Sequence, residues 1–151
     1  MTDSILSKKD VAAQVRRAMT HKGMTWARLA QEIDRPEVWT ASALLGQQPM
    51  PREAAEKAAT LLDLSEDAVD ALVEEPYRGA GVQEIPSDPT VYRFYEALAV
   101  YGPALKELLH EKFGDGIMSA INFKISLDKK EEDGEQRVIV TFDGKFLDYK
   151  W

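Results

Sequence analysis

The stretch Asn122-Phe-Lys-Ile-Ser-Leu127 decides the fold class of this 151-residue chain, because its apolar and polar residues alternate. A period of two is typical of a β-strand that buries one face. Residues 137–142 repeat the alternation, and the charged segment 128–135 between them contains a single glycine, Gly134. The pattern therefore predicts two strands joined by an exposed charged loop, which together form a β-hairpin.

Two helices are expected immediately before this hairpin. Residues 90–101 predict one helix, and the pair Gly102-Pro103 is expected to break it. Residues 104–113 predict a second helix with leucines on one face, which the glycine turn at 114–116 is expected to end. The back half of the chain is thus expected to contain both helices and strands.

The front half is expected to be helical throughout, with five short amphipathic helices between residues 9 and 74. Thr25 precedes the apolar periodic segment of the second helix, and Ser65 is expected to be the N-cap of the fifth. The second helix, a turn at 34–36 and the third helix have the lengths of a helix-turn-helix. The whole run resembles the helical domain of phage-type repressors.

The predicted fold class is α+β, an N-terminal five-helix repressor-like bundle followed by a small C-terminal domain of helices and a β-hairpin. Residues 76–89 contain several Pro and Gly and predict a linker between a first domain, 1–75, and a second, 90–151. The second domain has about 62 residues, where a single core becomes marginal, and its hairpin has uncovered edges. A two-fold homodimer that intertwines these strands is therefore expected.

The composition narrows the classes of function. The chain has no cysteine, which excludes disulfides, thiolate nucleophiles and thiolate zinc sites. Residues 1–10 are polar, and no apolar run approaches the ~18 to 20 residues that span a bilayer. A soluble cytoplasmic protein with no membrane partner is therefore expected. The net charge of −7 opposes binding to phosphate backbones.

A DNA-binding regulator is the main alternative function, because of the helix-turn-helix lengths. DNA affinity requires Lys and Arg to neutralise phosphates. The predicted third helix, 37–45, has neither residue type and begins with Glu37, and residues 1–76 carry nine Lys and Arg against thirteen Asp and Glu. These charges favour a helical bundle that does not bind nucleic acid.

The most unusual segment is Asp88-Pro-Thr-Val-Tyr-Arg-Phe-Tyr-Glu96, in which Arg93 and Glu96 share one helix face. Such a pair is ordinarily a solvated ion pair, but the three neighbouring aromatic residues indicate a core or an interface, where the pair has larger consequences. Ser119 follows a glycine turn among apolar residues, and its hydroxyl is either bonded to the local backbone or part of a chemical site. His110 is expected at an exposed helix position without a catalytic role.

Two of these segments together resemble the cyanase family. They are Pro86-Ser-Asp-Pro-Thr-Val-Tyr-Arg-Phe-Tyr-Glu96 and His110-Glu-Lys-Phe-Gly-Asp-Gly-Ile-Met-Ser-Ala-Ile-Asn-Phe123. The resemblance extends to Ala43-Leu-Leu-Gly-Gln-Gln48 and to Asp143-Gly-Lys145, so it covers most of the chain.

The resemblance implies a cyanate hydratase, a lyase that combines cyanate with bicarbonate to give carbamate and carbon dioxide. Carbamate then decomposes without enzyme to ammonia and a second carbon dioxide, which serves cyanate detoxification and nitrogen supply. The implied catalytic residues are Arg93, Glu96 and Ser119. The implied assembly is a homodecamer, a pentamer of dimers with interlocked hairpins, and no cofactor or metal is implied beyond bicarbonate as co-substrate.

Physical chemistry suggests a role for each of the three residues. Arg93 is expected to offset the charge of two anionic substrates, and Ser119 to donate its hydroxyl. Glu96 either orients Arg93, which is the favoured role, or supplies a proton to cyanate nitrogen. A non-catalytic oligomeric scaffold with the same fold is the third alternative.

Overall fold

The computed structural model describes residues 6–77 and 84–150. The chain divides into two compact units, Met1–Ala80 and Gly81–Trp151. Helices and a two-stranded antiparallel sheet are both present, so the predicted α+β class is confirmed. The predicted linker 76–89 falls partly outside the described residues, because 78–83 are not among them.

The first unit is helical, and local side chains set where several of its helices begin. Ser7, Thr25 and Ser65 each accept a hydrogen bond from the backbone N–H three residues later, at 3.2, 3.2 and 3.3 Å. The predicted cap Ser65 is therefore confirmed, whereas the caps Ser7 and Thr25 were not predicted. The helices are α1 (Lys8–Lys22), α2 (Trp26–Glu32), α3 (Glu37–Leu44), α4 (Arg52–Leu62) and α5 (Glu66–Val73).

A closed apolar core holds the first unit together. Val11, Leu29 and Leu44 are fully buried in it, and removal of such side chains from water is the main favourable term in folding. Thr40 is the buried polar residue among them, and its hydroxyl donates to the Pro36 carbonyl at 2.9 Å. Within the described residues, no buried side-chain N or O atom lacks a hydrogen-bond partner.

The second unit begins with one long helix, α6 (Pro89–Phe113), rather than two. The predicted break at Gly102-Pro103 is wrong, because the helix continues through Pro103. A proline inside a helix frees the carbonyl four residues earlier, here that of Ala99. No residue of α6 is buried in the single chain, so water can satisfy that carbonyl. No helix in the described ranges, α6 included, is long and apolar enough to cross a membrane.

The hairpin that follows is longer than the alternation predicts. Its strands are β1 (Gly116–Glu132) and β2 (Glu135–Asp148), so the charged segment predicted to be a loop is mostly strand. The turn consists of Asp133 and Gly134, with φ of 52° and 78°, and Glu132 pairs with Glu135 across it. Two positive φ values are typical of a type I′ turn, whose twist matches that of the paired strands.

The second unit has almost no core of its own in the single chain. Among its described residues only Gly116 and Ser119 are buried. Large apolar side chains remain exposed on both α6 and the hairpin, and Ile121 reaches 89%. The exposed set on the two elements includes Val91, Phe94, Tyr95, Leu98, Leu105, Leu108, Ile117, Leu127, Val138 and Phe142.

Candidate active site

Arg93 and Glu96 lie one turn apart near the start of α6, and the structure brings them together. Nη1 of Arg93 donates to Oε2 of Glu96 at 2.8 Å. The turn from which they project is fixed by Asp88, whose carboxylate accepts from the N–H groups of Thr90 and Val91 at 3.0 and 2.9 Å. The predicted pairing of Arg93 with Glu96 is confirmed.

An aromatic ring provides the second contact of Arg93. Its guanidinium carbon lies 5.9 Å from the centroid of the Tyr92 ring, within the range of a cation–π interaction. The Tyr92 ring in turn lies 6.1 Å from that of Tyr95. The Arg93 side chain is nevertheless 73% exposed in the single chain. Its guanidinium is therefore oriented by Glu96 and Tyr92 but remains accessible to a ligand.

This ion pair contributes little to the stability of the fold. Exposed Arg–carboxylate pairs typically contribute about 0 to 1 kcal/mol, because water and salt screen the charges. The pair therefore orients a positive charge at the surface of α6 more than it stabilises α6.

Ser119 lies in an interruption of the hairpin. Met118 pairs with Phe146 and Phe123 pairs with Gly144, so β1 has four residues, 119–122, where β2 has one. Extra residues on one strand form a β-bulge, which redirects side chains and is often found next to active sites. Ser119 is 7% exposed within this bulge.

The Ser119 hydroxyl closes the bulge by accepting two backbone hydrogen bonds. The N–H groups of Ile121 and Asn122 donate to its oxygen at 3.1 and 2.9 Å. The Ser119 hydroxyl can therefore bond to the local backbone and also take part in a chemical site, because a hydroxyl has two acceptor lone pairs and one proton. With both lone pairs engaged by backbone N–H groups, the proton is left for donation to another acceptor.

Comparisons with known proteins cover nearly the whole chain. The domain family described as "Cyanate hydratase, N-terminal" matches residues 8–76, and the one described as "Cyanate lyase C-terminal domain" matches residues 83–151. Proteins named cyanate hydratase from Mycolicibacterium vanbaalenii and Pseudomonas savastanoi pv. phaseolicola are 53% and 48% identical to this chain. The alignments cover 97% and 95% of this chain and 95% and 92% of those proteins. The chain belongs to the cyanate hydratase family.

A solved structure agrees with this assignment to the cyanate hydratase family. The crystal structure of cyanase from T. urticae superposes on this chain with a TM-score of 0.82 at 40% identity. The superposition covers 91% of this chain and 96% of that one. The family resemblance predicted from the sequence is confirmed, and Arg93, Glu96 and Ser119 all lie in the part matched by the C-terminal domain family.

Two contacts that were not predicted from the sequence stabilise the turn between α6 and β1. Nε2 of His110 lies 3.2 Å from the Gly116 carbonyl oxygen, and the Phe113 and Phe146 rings stack with centroids 5.1 Å apart. The His110 side chain is 29% exposed, so the predicted exposed position is wrong. The contact of His110 with Gly116 fixes the position of the beginning of β1 relative to the end of α6. Ser119 follows three residues later in β1, so this contact contributes to its position.

A single copy of the chain does not join all three candidate residues. The described contacts of Ser119 are to the local backbone, while Arg93 and Glu96 contact each other. Arg93 and His110 are 17 residues apart along α6, a rise of about 25 Å at 1.5 Å per residue. Ser119 follows the turn that His110 closes, so the two parts of the site lie towards opposite ends of α6.

Other parts of the described structure offer no better ligand site for the three candidate residues. In residues 6–77 and 84–150, no group of three or more His, Asp or Glu residues is placed to hold a metal. An open groove of about 780 Å³ in the first unit is lined by residues that include Arg16, Met24 and Trp26. None of the three candidate residues lines this groove.

Proposed function

We propose that this chain is a cyanate hydratase that combines cyanate with bicarbonate to give carbamate and carbon dioxide. The observation that carries the proposal is the Arg93 guanidinium, oriented by Glu96 yet 73% exposed, in a chain of the cyanate hydratase family. Both substrates are anions, so they approach each other only where fixed positive charge offsets their repulsion. Arg93 provides that charge.

The proposed reaction consumes one proton. A bicarbonate oxygen attacks the cyanate carbon, the nitrogen gains two protons, and carbon dioxide leaves from the former bicarbonate carbon. One of these protons comes from bicarbonate and the other from outside the substrates, which gives carbamate with a single negative charge. Carbamate then decomposes to ammonia and a second carbon dioxide without the enzyme.

Glu96 is proposed to orient Arg93 rather than to supply the second proton. The 2.8 Å hydrogen bond between the two side chains supports this role. An ionised carboxylate facing the anions alone would repel them, whereas one paired with Arg93 fixes the direction of the guanidinium. Ser119 is proposed to donate its proton to a substrate oxygen or nitrogen, because two backbone N–H groups already occupy its lone pairs.

The active site is proposed to be completed by other copies of the chain. The separation of Arg93 from Ser119 along α6 supports this proposal, as do the half-exposed leucines of α6, Leu98, Leu105 and Leu108. A homodecamer built as a pentamer of dimers, with interlocked hairpins, would cover these side chains and bring the residues together. We propose no cofactor, and we propose the cytoplasm as the compartment. DNA binding is not favoured, because α3 contains no Lys or Arg to neutralise phosphates.

Ammonia release from cyanate by the purified protein tests the proposed function, with bicarbonate either added or removed. Wild type is expected to require bicarbonate. Arg93→Ala is expected to lose about 100- to 1,000-fold in turnover, the usual cost of removing one charge-stabilising donor. Arg17→Ala is the matched control, because Arg17 is exposed on α1 and should not affect turnover.

The outcomes separate the three alternatives. A folded, assembled wild type that releases no ammonia would favour the scaffold, and salt-dependent retention on DNA would favour the regulator. Release that is independent of bicarbonate would rule out its role as co-substrate. Glu96→Gln distinguishes the two roles of the glutamate, since turnover within about tenfold of wild type counts against proton donation.

A further inference from the structure

Gly144 faces the Ser119 bulge from the opposite strand. It pairs with Phe123, the residue at which regular pairing resumes beyond the bulge. A Cβ atom placed on Gly144 would lie 2.6 Å from the Ser119 carbonyl oxygen and closer still to Cγ of Met118. Real Cβ atoms essentially never approach other heavy atoms to under 3.0 Å, so any side chain at 144 forces a displacement.

Space, and not backbone conformation, is what requires glycine here. The glycines with positive φ in the described residues are Gly23, Gly46, Gly114 and Gly134, and Gly144 is not among them. An alanine could therefore adopt the backbone of residue 144 without strain. An alanine is excluded because its Cβ would collide with Met118 and Ser119 of the bulge.

The two obstacles to a side chain at 144 differ in kind. The Met118 side chain is flexible and can rotate away, because methionine has three rotatable bonds. The Ser119 carbonyl belongs to the backbone of the bulge, so displacing it displaces Ser119 itself. The hydroxyl of Ser119 would move with it, since that hydroxyl is bonded to the N–H groups of Ile121 and Asn122 in the same bulge.

We propose that Gly144 is a positioning residue for Ser119, because only a residue without a side chain lets the bulge close against β2 with the hydroxyl in place. This inference rests on the proposed function, in which Ser119 donates a proton to the substrate. A misplacement of about 1 Å is enough to reduce turnover by about 100-fold. Gly144 therefore controls turnover without touching the substrate.

Three variants test this role by the steady-state kinetics of cyanate decomposition. Gly144→Ala is expected to lower kcat by about 10- to 100-fold with KM for cyanate within threefold of wild type, since Arg93 is left in place. Met118→Ala is expected to keep wild-type kcat, because it leaves Gly144 unchanged. The double variant Gly144→Ala/Met118→Ala removes the flexible obstacle and should recover any thermal stability lost in Gly144→Ala, but not kcat.

A double-mutant cycle with Ser119→Ala distinguishes positioning from a general structural effect. If Gly144 acts through Ser119, Gly144→Ala will lower kcat no further in the Ser119→Ala background. Equal losses in both backgrounds would overturn the inference. So would wild-type kcat in assembled Gly144→Ala or in the assembled double variant.

Two other outcomes have distinct meanings. Failure of Gly144→Ala and of the double variant to assemble would make Gly144 a requirement of the fold and would also overturn the positioning role. An assembled wild type without cyanate turnover would contradict the proposed function itself. That result is distinguishable from failure of the Gly144 inference, because every outcome that overturns the inference is read against an active wild type.

Discussion

The two units of the chain use their apolar residues differently. In the first unit Leu29 and Leu44 are 0% exposed, whereas in α6 of the second unit Leu98, Leu105 and Leu108 are 49%, 54% and 49% exposed. Both units are built from amphipathic elements, but only the helices of the first cover one another. The closed unit contains none of the proposed catalytic residues, and the open unit contains all three.

This difference links the proposed chemistry to assembly. A unit with a closed core is stable at any protein concentration, whereas one that buries its apolar surface against other copies is stabilised by mass action. Since Arg93, Glu96 and Ser119 all lie in the open unit, conditions that separate the copies of the proposed oligomer are expected to abolish turnover before they unfold the first unit.

The largest expected effect is in the closed unit. Leu44→Ala is expected to lower the free energy of unfolding by about 2 to 5 kcal/mol, because it leaves a cavity in a fully packed core. The fluorescence of Trp26 and Trp39, which pack against that core, monitors the denaturant titration. The loss should be independent of protein concentration, and a loss below about 1 kcal/mol would contradict a closed core.

A smaller effect, on the association of the proposed oligomer, is expected from a substitution in the open unit. Leu105→Ala should weaken association by about 2 kcal/mol, the value of burying one leucine side chain. Sedimentation over a dilution series should show dissociation at higher protein concentration than for wild type. Glu107→Ala, an exposed position on the same helix, is the control. Equal dissociation of Leu105→Ala and wild type would place the leucine outside any interface.

The smallest expected effect concerns the start of α1. Hydrogen bonds from the Ser7 hydroxyl and backbone N–H hold the pKa of Asp10 below its ordinary value of 3.8. A carboxyl with a lowered pKa in the folded state stabilises the fold above its unfolded pKa, and that contribution is lost as the pH falls through the folded pKa. Asp10→Asn should therefore lower Tm at neutral pH, and the difference should close below 3.8.

A pH series of Tm for wild type and Asp10→Asn checks this prediction. Asp63→Asn is a suitable control, because Asp63 lies at the end of α4, pairs with Lys22 and takes no part in the Ser7–Asp10 hydrogen bonds at the start of α1. A Tm difference for Asp10→Asn that stays constant from neutral to strongly acidic pH would contradict the role of the charged form.

Local signals in the sequence predicted local features well. Ser65 caps α5 as predicted, because the hydrogen bond of an N-cap is made within three residues of the chain. The pairing of Arg93 with Glu96 follows equally from helical spacing. The predicted break at Pro103 was wrong because its cost depends on whether the freed carbonyl can reach water, which the local sequence does not specify.

The hairpin itself was predicted, but its full length and its bulge were not. The prediction of a loop at residues 128–135 is wrong, although the dipeptide Asp133-Gly134 is itself a signal for a two-residue hairpin turn. The bulge at Ser119 depends on the register with Gly144, 25 positions later in the chain. The sequence likewise does not show that no residue of α6 is buried in the single chain.

The most direct test of a site completed by several copies is a subunit-mixing experiment. Arg93→Ala and Ser119→Ala, each expected to be nearly inactive, are refolded together, and mixed oligomers are isolated through two different affinity tags. Cyanate turnover is expected to recover to at most about a quarter of wild type, because one pairing in four joins an intact Arg93 to an intact Ser119 from another copy. Verified mixed oligomers that recover no activity would show that both residues act within one chain and would contradict the shared site.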